Sequence, residues 1–287
     1  MCLIAYERGQ TNIKYANPDN PLWAYINITD QCNKFCGFCF NKNNFKPDLA
    51  LSKFIIILDK LKNMKIKQVT LSGGEPTLHP DIKEMLTLTK ELGMRTHLAT
   101  NGLEDDLILY LDKFKLIDQI QFNWGIDSYK EQLLVINRIK NSRVAVTIPG
   151  AKDNVDNLQE LIINASKANI DKIRIWELCG AGEAKNSISI QEYDSIASKL
   201  IPREYSFKQS YDPEISADLF IPCIIASGVV LYINSAGEIL RCMAEINSPV
   251  IANILKDPVK TILEKYKKYV AALPKRCFAR NEGSSTS

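Results

Sequence analysis

Trp23-Ala24-Tyr25-Ile26-Asn27-Ile28-Thr29-Asp30-Gln31-Cys32-Asn33-Lys34-Phe35-Cys36-Gly37-Phe38-Cys39 is the stretch from which the rest of the chain is read. Its first part, Trp23 to Thr29, is rich in aromatic and β-branched residues and predicts a strand. Cys32, Cys36 and Cys39 follow at the spacing C-x3-C-x2-C. Three thiolates on one short loop can hold a metal centre. Structural zinc sites close with four ligands, often as two C-x2-C pairs, but there is no second such pair here and neither histidine lies near. A disulfide would leave one of the three cysteines over. Iron–sulfur chemistry, with three irons on cysteine sulfur and a fourth left open, fits best. Zinc and metal-free buried cysteines are the alternatives.

Outward from this stretch the chain alternates. Ser52 is placed to cap a helix running to about Met64, with Phe54, Ile55, Leu58 and Leu61 on one face. Lys67 to Leu71 reads as a strand that ends at Ser72-Gly73-Gly74-Glu75-Pro76. A helix from about Pro80, at a first helical position, runs to Leu92 and stops at Gly93. Met94 to Ala99 is the next strand and ends at Thr100-Asn101-Gly102. The helices Glu104–Phe114, Ser128–Ile139, Val155–Ala168 and Gln191–Leu200 then alternate with the strands Ile117–Ile126, Arg143–Ile148 and Lys172–Leu178.

Six strand–helix units in a row predict an α/β fold, a parallel sheet with helices outside. Right-handed crossovers would curl it into a partial (β/α)6 TIM-like barrel. Ligands gather at the carboxyl ends of such strands. The distinctive residues fall there: the cysteines, Gly73-Gly74-Glu75-Pro76, Asn101, Asp127, and Glu177 with Cys179. His97 shares a strand face with Asn101 by period-two geometry; it lines the interior or sits as a satisfied core histidine. His79 belongs to a turn.

The bulk properties set limits. The chain has 287 residues, enough for a substantial core, and a formal net charge of +3, too small to argue for nucleic acid. Its longest nearly apolar run, Leu219 to Ile233, is interrupted by Pro222, Ser227 and Gly228, so no membrane span is expected. The first residues lack the basic and apolar regions of a signal peptide. Eight cysteines without a secretion signal point to a reducing, cytoplasmic setting and to metal or redox roles.

With these motifs in hand, the chain resembles the radical S-adenosylmethionine (SAM) superfamily over about residues 22–200. Cys32-x3-Cys36-x-Phe38-Cys39 is similar to the family's cluster loop, Gly73-Gly74-Glu75-Pro76 to its second-strand motif, and Thr100-Asn101-Gly102 to its third-strand motif. The resemblance implies a 4Fe-4S cluster on Cys32, Cys36 and Cys39, with SAM on the open iron. It implies that Gly73 and Gly74 let the backbone approach the methionyl group, that Glu75 helps fix the ammonium, that Asn101 reaches the ribose or carboxylate, and that Phe38 lies against the adenine. The family's Ser-x-Asp on the fourth strand is Gly125-Ile126-Asp127 here. Asp127 is thus either a ribose contact or, with Ser128, a helix N-cap.

From Tyr205 the alternation stops. Val229–Ile233 and Glu238–Arg241 flank Asn234-Ser235-Ala236-Gly237 and predict a β-hairpin, followed by a helix from Pro258 to Ala271. Cys223, Gly237 and Cys242 stand in a C-x13-G-x4-C pattern, with Cys277 beyond. This resembles the SPASM and Twitch auxiliary-cluster modules, the shorter Twitch form fitting better. It implies an auxiliary iron–sulfur cluster on Cys223, Cys242 and Cys277, with Cys179, Cys2, another residue or substrate as fourth ligand; buried metal-free cysteines are the alternative. Cys179 is also a candidate hydrogen donor, and Glu177 a candidate substrate acid.

The expected organisation is an N-terminal extension (1–21), the partial barrel (22–204), a hairpin-plus-helix module (205–280) and a disordered tail (281–287). The expected function is hydrogen abstraction by a 5′-deoxyadenosyl radical, in epimerisation or cross-linking of a ribosomally made peptide. The alternatives are small-molecule oxidation or cofactor and nucleotide biosynthesis, as in molybdopterin-precursor synthases or viperin-type enzymes, and a non-catalytic iron–sulfur carrier or sensor. Expected partners are a peptide or small-molecule substrate and an electron donor such as flavodoxin or ferredoxin, with no nucleic acid and no membrane.

Overall fold

The computed structural model describes residues 3–9, 21, 23–37, 39, 46–176, 190–209, 228, 230–242 and 248–272. In chain order the elements are β1 (Leu3–Arg8), β2 (Trp23–Thr29), α1 (Leu51–Asn63), β3 (Gln68–Gly73), α2 (Ile82–Glu91), β4 (Arg95–Thr100), α3 (Asp105–Lys113), β5 (Gln119–Asn123) and α4 (Tyr129–Ile136). They continue with β6 (Arg143–Pro149), α5 (Lys152–Asp156), α6 (Leu158–Lys167), β7 (Lys172–Trp176), α7 (Ile190–Leu200), β8 (Tyr205–Gln209), β9 (Val230–Ile233), β10 (Glu238–Leu240), β11 (Val250–Asn253) and α8 (Val259–Ala272).

These described strands join one sheet in the order β11-β10-β9-β2-β3-β4-β5-β6-β7-β1-β8. The six strands β2 to β7 are parallel neighbours in sequence order. This is the partial TIM-like α/β barrel expected from the alternation, with a C-terminal hairpin and helix. The hairpin continues the same sheet: β9 pairs parallel with β2, so that Tyr25 stands beside Tyr232, and β10 and β11 follow antiparallel. Gly237 makes the hairpin turn at φ +76°, a conformation that suits glycine.

Several local expectations are corrected. Ala50, not Ser52, occupies the N-cap of α1, and no side chain caps it. The second helix begins at Ile82 behind Asp81; Pro76 opens a short 3-10 turn instead, where a missing N–H costs nothing. The single helix expected over Val155–Ala168 is two, α5 and α6, broken at Asn157. The N-terminal residues contribute a strand: β1 pairs antiparallel with both β7 and β8.

The two faces of the barrel sheet differ in chemistry. Ala24, Ile26, Ile28, Val69, Leu71, Leu98, Ile120, Phe122, Val144, Val146, Ile148, Ile173 and Ile175 are buried. They pack in one core with Leu58, Leu61, Leu86, Leu111 and Leu161 of the surrounding helices. Burying each of the larger of these side chains contributes roughly 1.5–3 kcal/mol. The alternate residues, Tyr25, Asn27, Thr70, Ser72, His97, Gln119, Gln121, Thr147, Lys172 and Arg174, share the opposite face through the strand register. The inner face is therefore polar.

Candidate functional site

The site is assembled where β2, β3 and β4 end. The segment leaving β2 lies against the segment leaving β3: the Gly74 N–H donates to the Thr29 carbonyl at 2.8 Å, and the Glu75 N–H to the Gln31 carbonyl at 2.7 Å. A Cβ on Gly74 would sit 2.3 Å from the Gln31 oxygen, and one on Gly73 would sit 2.2 Å from the Thr29 oxygen. Two glycines are therefore required so that the cysteine loop can seat on β3. Among the described residues, the close approach these glycines permit is to the protein's own backbone.

Glu75 is fully buried. Its Oε1 accepts from the Thr77 N–H at 3.1 Å and from the Thr77 and Thr100 hydroxyls at 2.6 and 2.8 Å. Its Oε2 accepts from the Asn101 N–H at 2.7 Å. Burial pushes this carboxyl up, and the Asn101, Thr77 and Thr100 hydrogen bonds oppose that. Glu75 thus ties the exit of β3 to the exit of β4.

Asn101 carries the linkage on to the cysteines. Its Nδ2 donates to Asn33 Oδ1 at 2.8 Å and lies 4.0 Å from Cys32 Sγ. Its Oδ1 accepts from the Leu103 N–H at 3.0 Å. Its carbonyl accepts from Gln132 Nε2 at 2.7 Å, which also donates to the Asn123 carbonyl at 2.9 Å. Asn33 Nδ2 donates to Glu104 Oε1 at 3.1 Å.

Cys32 is exposed, and Cys36 and Cys39 are half-buried. The Cys39 N–H donates to the Cys36 carbonyl at 3.1 Å, closing the loop. Burial pushes the Cys36 thiol up to about 11, helped by Asp127, Cys39 and Cys32 and opposed by Lys34. Burial likewise raises Cys32. Metal binding at this loop must displace thiol protons. Among the described residues no three His, Cys, Asp or Glu side chains converge on a single metal ion. A cubane does not need that convergence, because each thiolate meets a different iron. Three thiols on one loop, within electrostatic range of one another, have the donor chemistry for it.

Asp127 joins the same end of the barrel. Its Oδ2 pairs with Lys34 Nζ at 2.8 Å, and its Oδ1 accepts from the Ser128 hydroxyl at 3.1 Å. Ser128 stands at the N-cap of α4 without a side-chain cap. The structure thus brings Cys32, Cys36, Cys39, Gly73, Gly74, Glu75, Asn101 and Asp127 together. Phe38, Glu177, Cys179, Cys223 and Cys277 lie outside the described residues, as does Cys2. Cys242 follows β10 and is buried, its N–H donating to the Ser248 hydroxyl at 2.8 Å.

Asn33, Lys34, Thr77, Thr100 and Gln132 were not singled out from the sequence. Thr100 opens the quoted motif Thr100-Asn101-Gly102 and Thr77 follows Gly73-Gly74-Glu75-Pro76, so position alone could have raised them; Gln132, on a helix, gave no local signal. The two histidines separate. His79 is a core residue, its Nε2 3.1 Å from the Leu49 carbonyl and its Nδ1 accepting from the Asp81 N–H. His97 faces the barrel interior.

Burial, with the positive charge of Arg174 acting on it, holds His97 down at about 3. Unfolded, it would take up a proton below about pH 6.5. Its contribution to stability is therefore complete above that pH and is lost as pH falls towards 3. The apoprotein should lose up to about 2 kcal/mol through this group between pH 7 and pH 5. Urea unfolding at the two pH values checks it: His97→Gln should show a smaller loss than wild type, and an equal loss would refute this role.

Residues 26–181 match the family model described as the radical SAM superfamily. A probable GTP 3′,8-cyclase of Saccharolobus islandicus is 26% identical over 228 residues, covering 72% of this chain and 71% of that protein. An S-adenosylmethionine-dependent nucleotide dehydratase of a Thermoplasmatales archaeon is 28% identical over 126 residues, 39% of this chain and 46% of that protein. The sporulation killing factor maturation protein SkfB of Bacillus subtilis is 21% identical over 61% of this chain and 47% of its own length. The chain thus spans less than half of the dehydratase and of SkfB. Among solved structures, Streptococcus suis SuiB bound to precursor peptide SuiA superposes with a TM-score of 0.71 at 17% identity, covering 93% of this chain and 74% of SuiB. The chain belongs to the radical SAM superfamily.

Proposed function

We propose that this radical SAM protein reductively cleaves SAM and abstracts hydrogen from a ribosomally made peptide, leading to epimerisation or cross-linking. One observation carries the SAM-cleaving part. The cysteine loop, Gly74, Glu75 and Asn101 are joined by hydrogen bonds into one unit at the carboxyl ends of adjacent parallel strands. A 4Fe-4S cluster on Cys32, Cys36 and Cys39 would supply, when reduced, the electron that splits the sulfonium of bound SAM and releases the 5′-deoxyadenosyl radical.

The chain's own residues then have positional tasks. Glu75 fixes the Asn101 backbone, and Asn101 holds its side chain against the loop that carries Cys32. Lys34 and Asp127 clamp the middle of that loop to the exit of β5. Such clamps keep reacting groups in one geometry, which is where most of the protein's contribution to a cofactor reaction lies. The peptide reading is supported by the kinship with SkfB and by a fold shared with SuiB, which was solved with a precursor peptide. A second reading, nucleotide or cofactor chemistry, is favoured by the Saccharolobus cyclase, which aligns over more of this chain than SkfB does. Incubating the reduced protein with SAM and either candidate peptides or nucleoside triphosphates separates the two, because only the true substrate should be modified in step with 5′-deoxyadenosine.

An auxiliary iron–sulfur cluster on Cys223, Cys242 and Cys277 belongs to the same proposal, as does a flavodoxin- or ferredoxin-type electron donor. The position of Cys242 just after the hairpin strand β10 supports the cluster; its burial is common to the metal-free alternative. Reconstituted protein should hold about eight irons per chain, and Cys223→Ala with Cys242→Ala about four. About four irons in both would remove the auxiliary cluster.

A further inference from the structure

The polar inner face of the barrel holds donors for which the fold provides no acceptor. Gln119 is 7% exposed and Thr147 is 4% exposed, and neither Gln119 Nε2 nor the Thr147 hydroxyl has a hydrogen-bond partner. Arg174 Nε is likewise buried without one. Leaving such groups unpaired is costly, and folded proteins rarely do it without a use.

The charge balance repeats the pattern. Among the described residues, three cations from β6 and β7 (Arg143, Lys172 and Arg174) face one carboxylate from β1. Glu7 pairs with Arg143 at 2.8 Å and with Lys172 at 3.2 Å. Among the described residues, no carboxylate lies within ion-pair distance of Arg174. Glu7 acts on it only at longer range, together with the Tyr25 hydroxyl from the far side of the parallel strands. Thr147 is the direct neighbour of Arg174 in the β6–β7 register. Gln119 stands apart from them, between His97 and Arg143, four residues before the level of Thr147. A guanidinium beside a hydroxyl, with a surplus of positive charge, suits an oxyanion.

We propose that Arg174 and Thr147 form an anion-binding subsite inside the barrel, which takes a carboxylate or phosphate group of the substrate. The subsite would anchor one end of the substrate while the reacting carbon faces SAM. This rests on the reading that the barrel interior is the substrate chamber. The two sources of such an anion, an acidic peptide side chain and a nucleotide phosphate, are told apart by probe.

Thermal unfolding of the cluster-reconstituted full chain, under anaerobic conditions and at constant ionic strength, tests it with glutarate and with pyrophosphate. The wild-type melting temperature should rise by at least about 2 °C with one of them. A larger rise with glutarate assigns the group to an acidic side chain, and one with pyrophosphate to a phosphate. Arg174→Met should bind the effective probe at least about tenfold more weakly. It should also melt no lower than wild type when ligand-free, since it removes a cation whose buried Nε has no acceptor and with which no described carboxylate pairs. Equal responses of the two proteins, no response to either anion, or a ligand-free Arg174→Met that melts lower would overturn the subsite. Measuring 5′-deoxyadenosine from the wild-type protein alongside keeps the readings separate. Its absence counts against SAM cleavage, whereas its presence without an anion response counts against the subsite alone.

Discussion

Replacing any one of Cys32, Cys36 or Cys39 by alanine should lower 5′-deoxyadenosine formation by about 10³-fold or more, equivalent to ~4 kcal/mol of barrier. A cluster held by three protein ligands on one loop has, among the described residues, no spare thiol on that loop to take over. The same substitutions should leave the barrel folded. The three cysteines lie on a loop outside the apolar core, and Cys32 is exposed. Far-ultraviolet circular dichroism should therefore match wild type while iron content falls. A variant that kept its iron and its 5′-deoxyadenosine yield would show that the missing thiol is not a ligand.

The second large effect should come from a residue that carries no chemistry. Gly74→Ala places a methyl group 2.3 Å from the Gln31 carbonyl and 2.7 Å from that of Asp30. Backbone cannot yield as the end of a flexible side chain can, so the segment that leads into Cys32 must move. Displacement of a catalytic loop by about 1 Å can cost about 10²-fold in rate, and a loss of that size is expected in 5′-deoxyadenosine formation per cluster. Glu75→Ala should act on the same unit by another route. It removes the acceptor for the buried Asn101 and Thr77 N–H groups, costing roughly 1–3 kcal/mol for each donor left unsatisfied. Normal turnover by a well-folded Gly74→Ala protein would mean that the two loops do not pack this closely.

Much of the fold was legible because its signals are local. Each of β2 to β7 is a short apolar or alternating run followed by a helix with one apolar face, and those patterns depend only on neighbours in sequence. Strand β1 was not legible, because Leu3–Arg8 pairs with β7, more than 160 residues away. Its one cue is the alternation of Ile4 and Tyr6 with Ala5 and Glu7. The strand read as Ile117–Ile126 ends earlier, at Asn123. Beyond it, Trp124 is apolar and aromatic and so extends the pattern, yet its indole N–H donates to the Leu161 carbonyl on a helix.

The site divides in the same way. Cys32, Glu75 and Asn101 stand out because they occupy turns where such residues are distinctive. What they touch could not be read. Nothing in Gly73-Gly74 reveals that the Thr29 and Gln31 carbonyls fill the space where side chains would be. Nothing in Glu75 reveals its hydrogen bonds to Thr77, Thr100 and Asn101. Arg174 looks like an ordinary surface cation in Lys172-Ile173-Arg174-Ile175-Trp176. Only the closure of the strands, which turns alternate residues inward, makes it an interior charge.

Anaerobic incubation of the cluster-reconstituted chain with SAM and a low-potential reductant, followed by chromatography for 5′-deoxyadenosine, tests the central claim most directly. The linked unit of cysteine loop, Gly74, Glu75 and Asn101 predicts that 5′-deoxyadenosine and methionine form in equal amounts. It also predicts that both disappear in Cys32→Ala. Cluster-loaded protein that yields no 5′-deoxyadenosine, with or without candidate peptides and nucleotides, would contradict it.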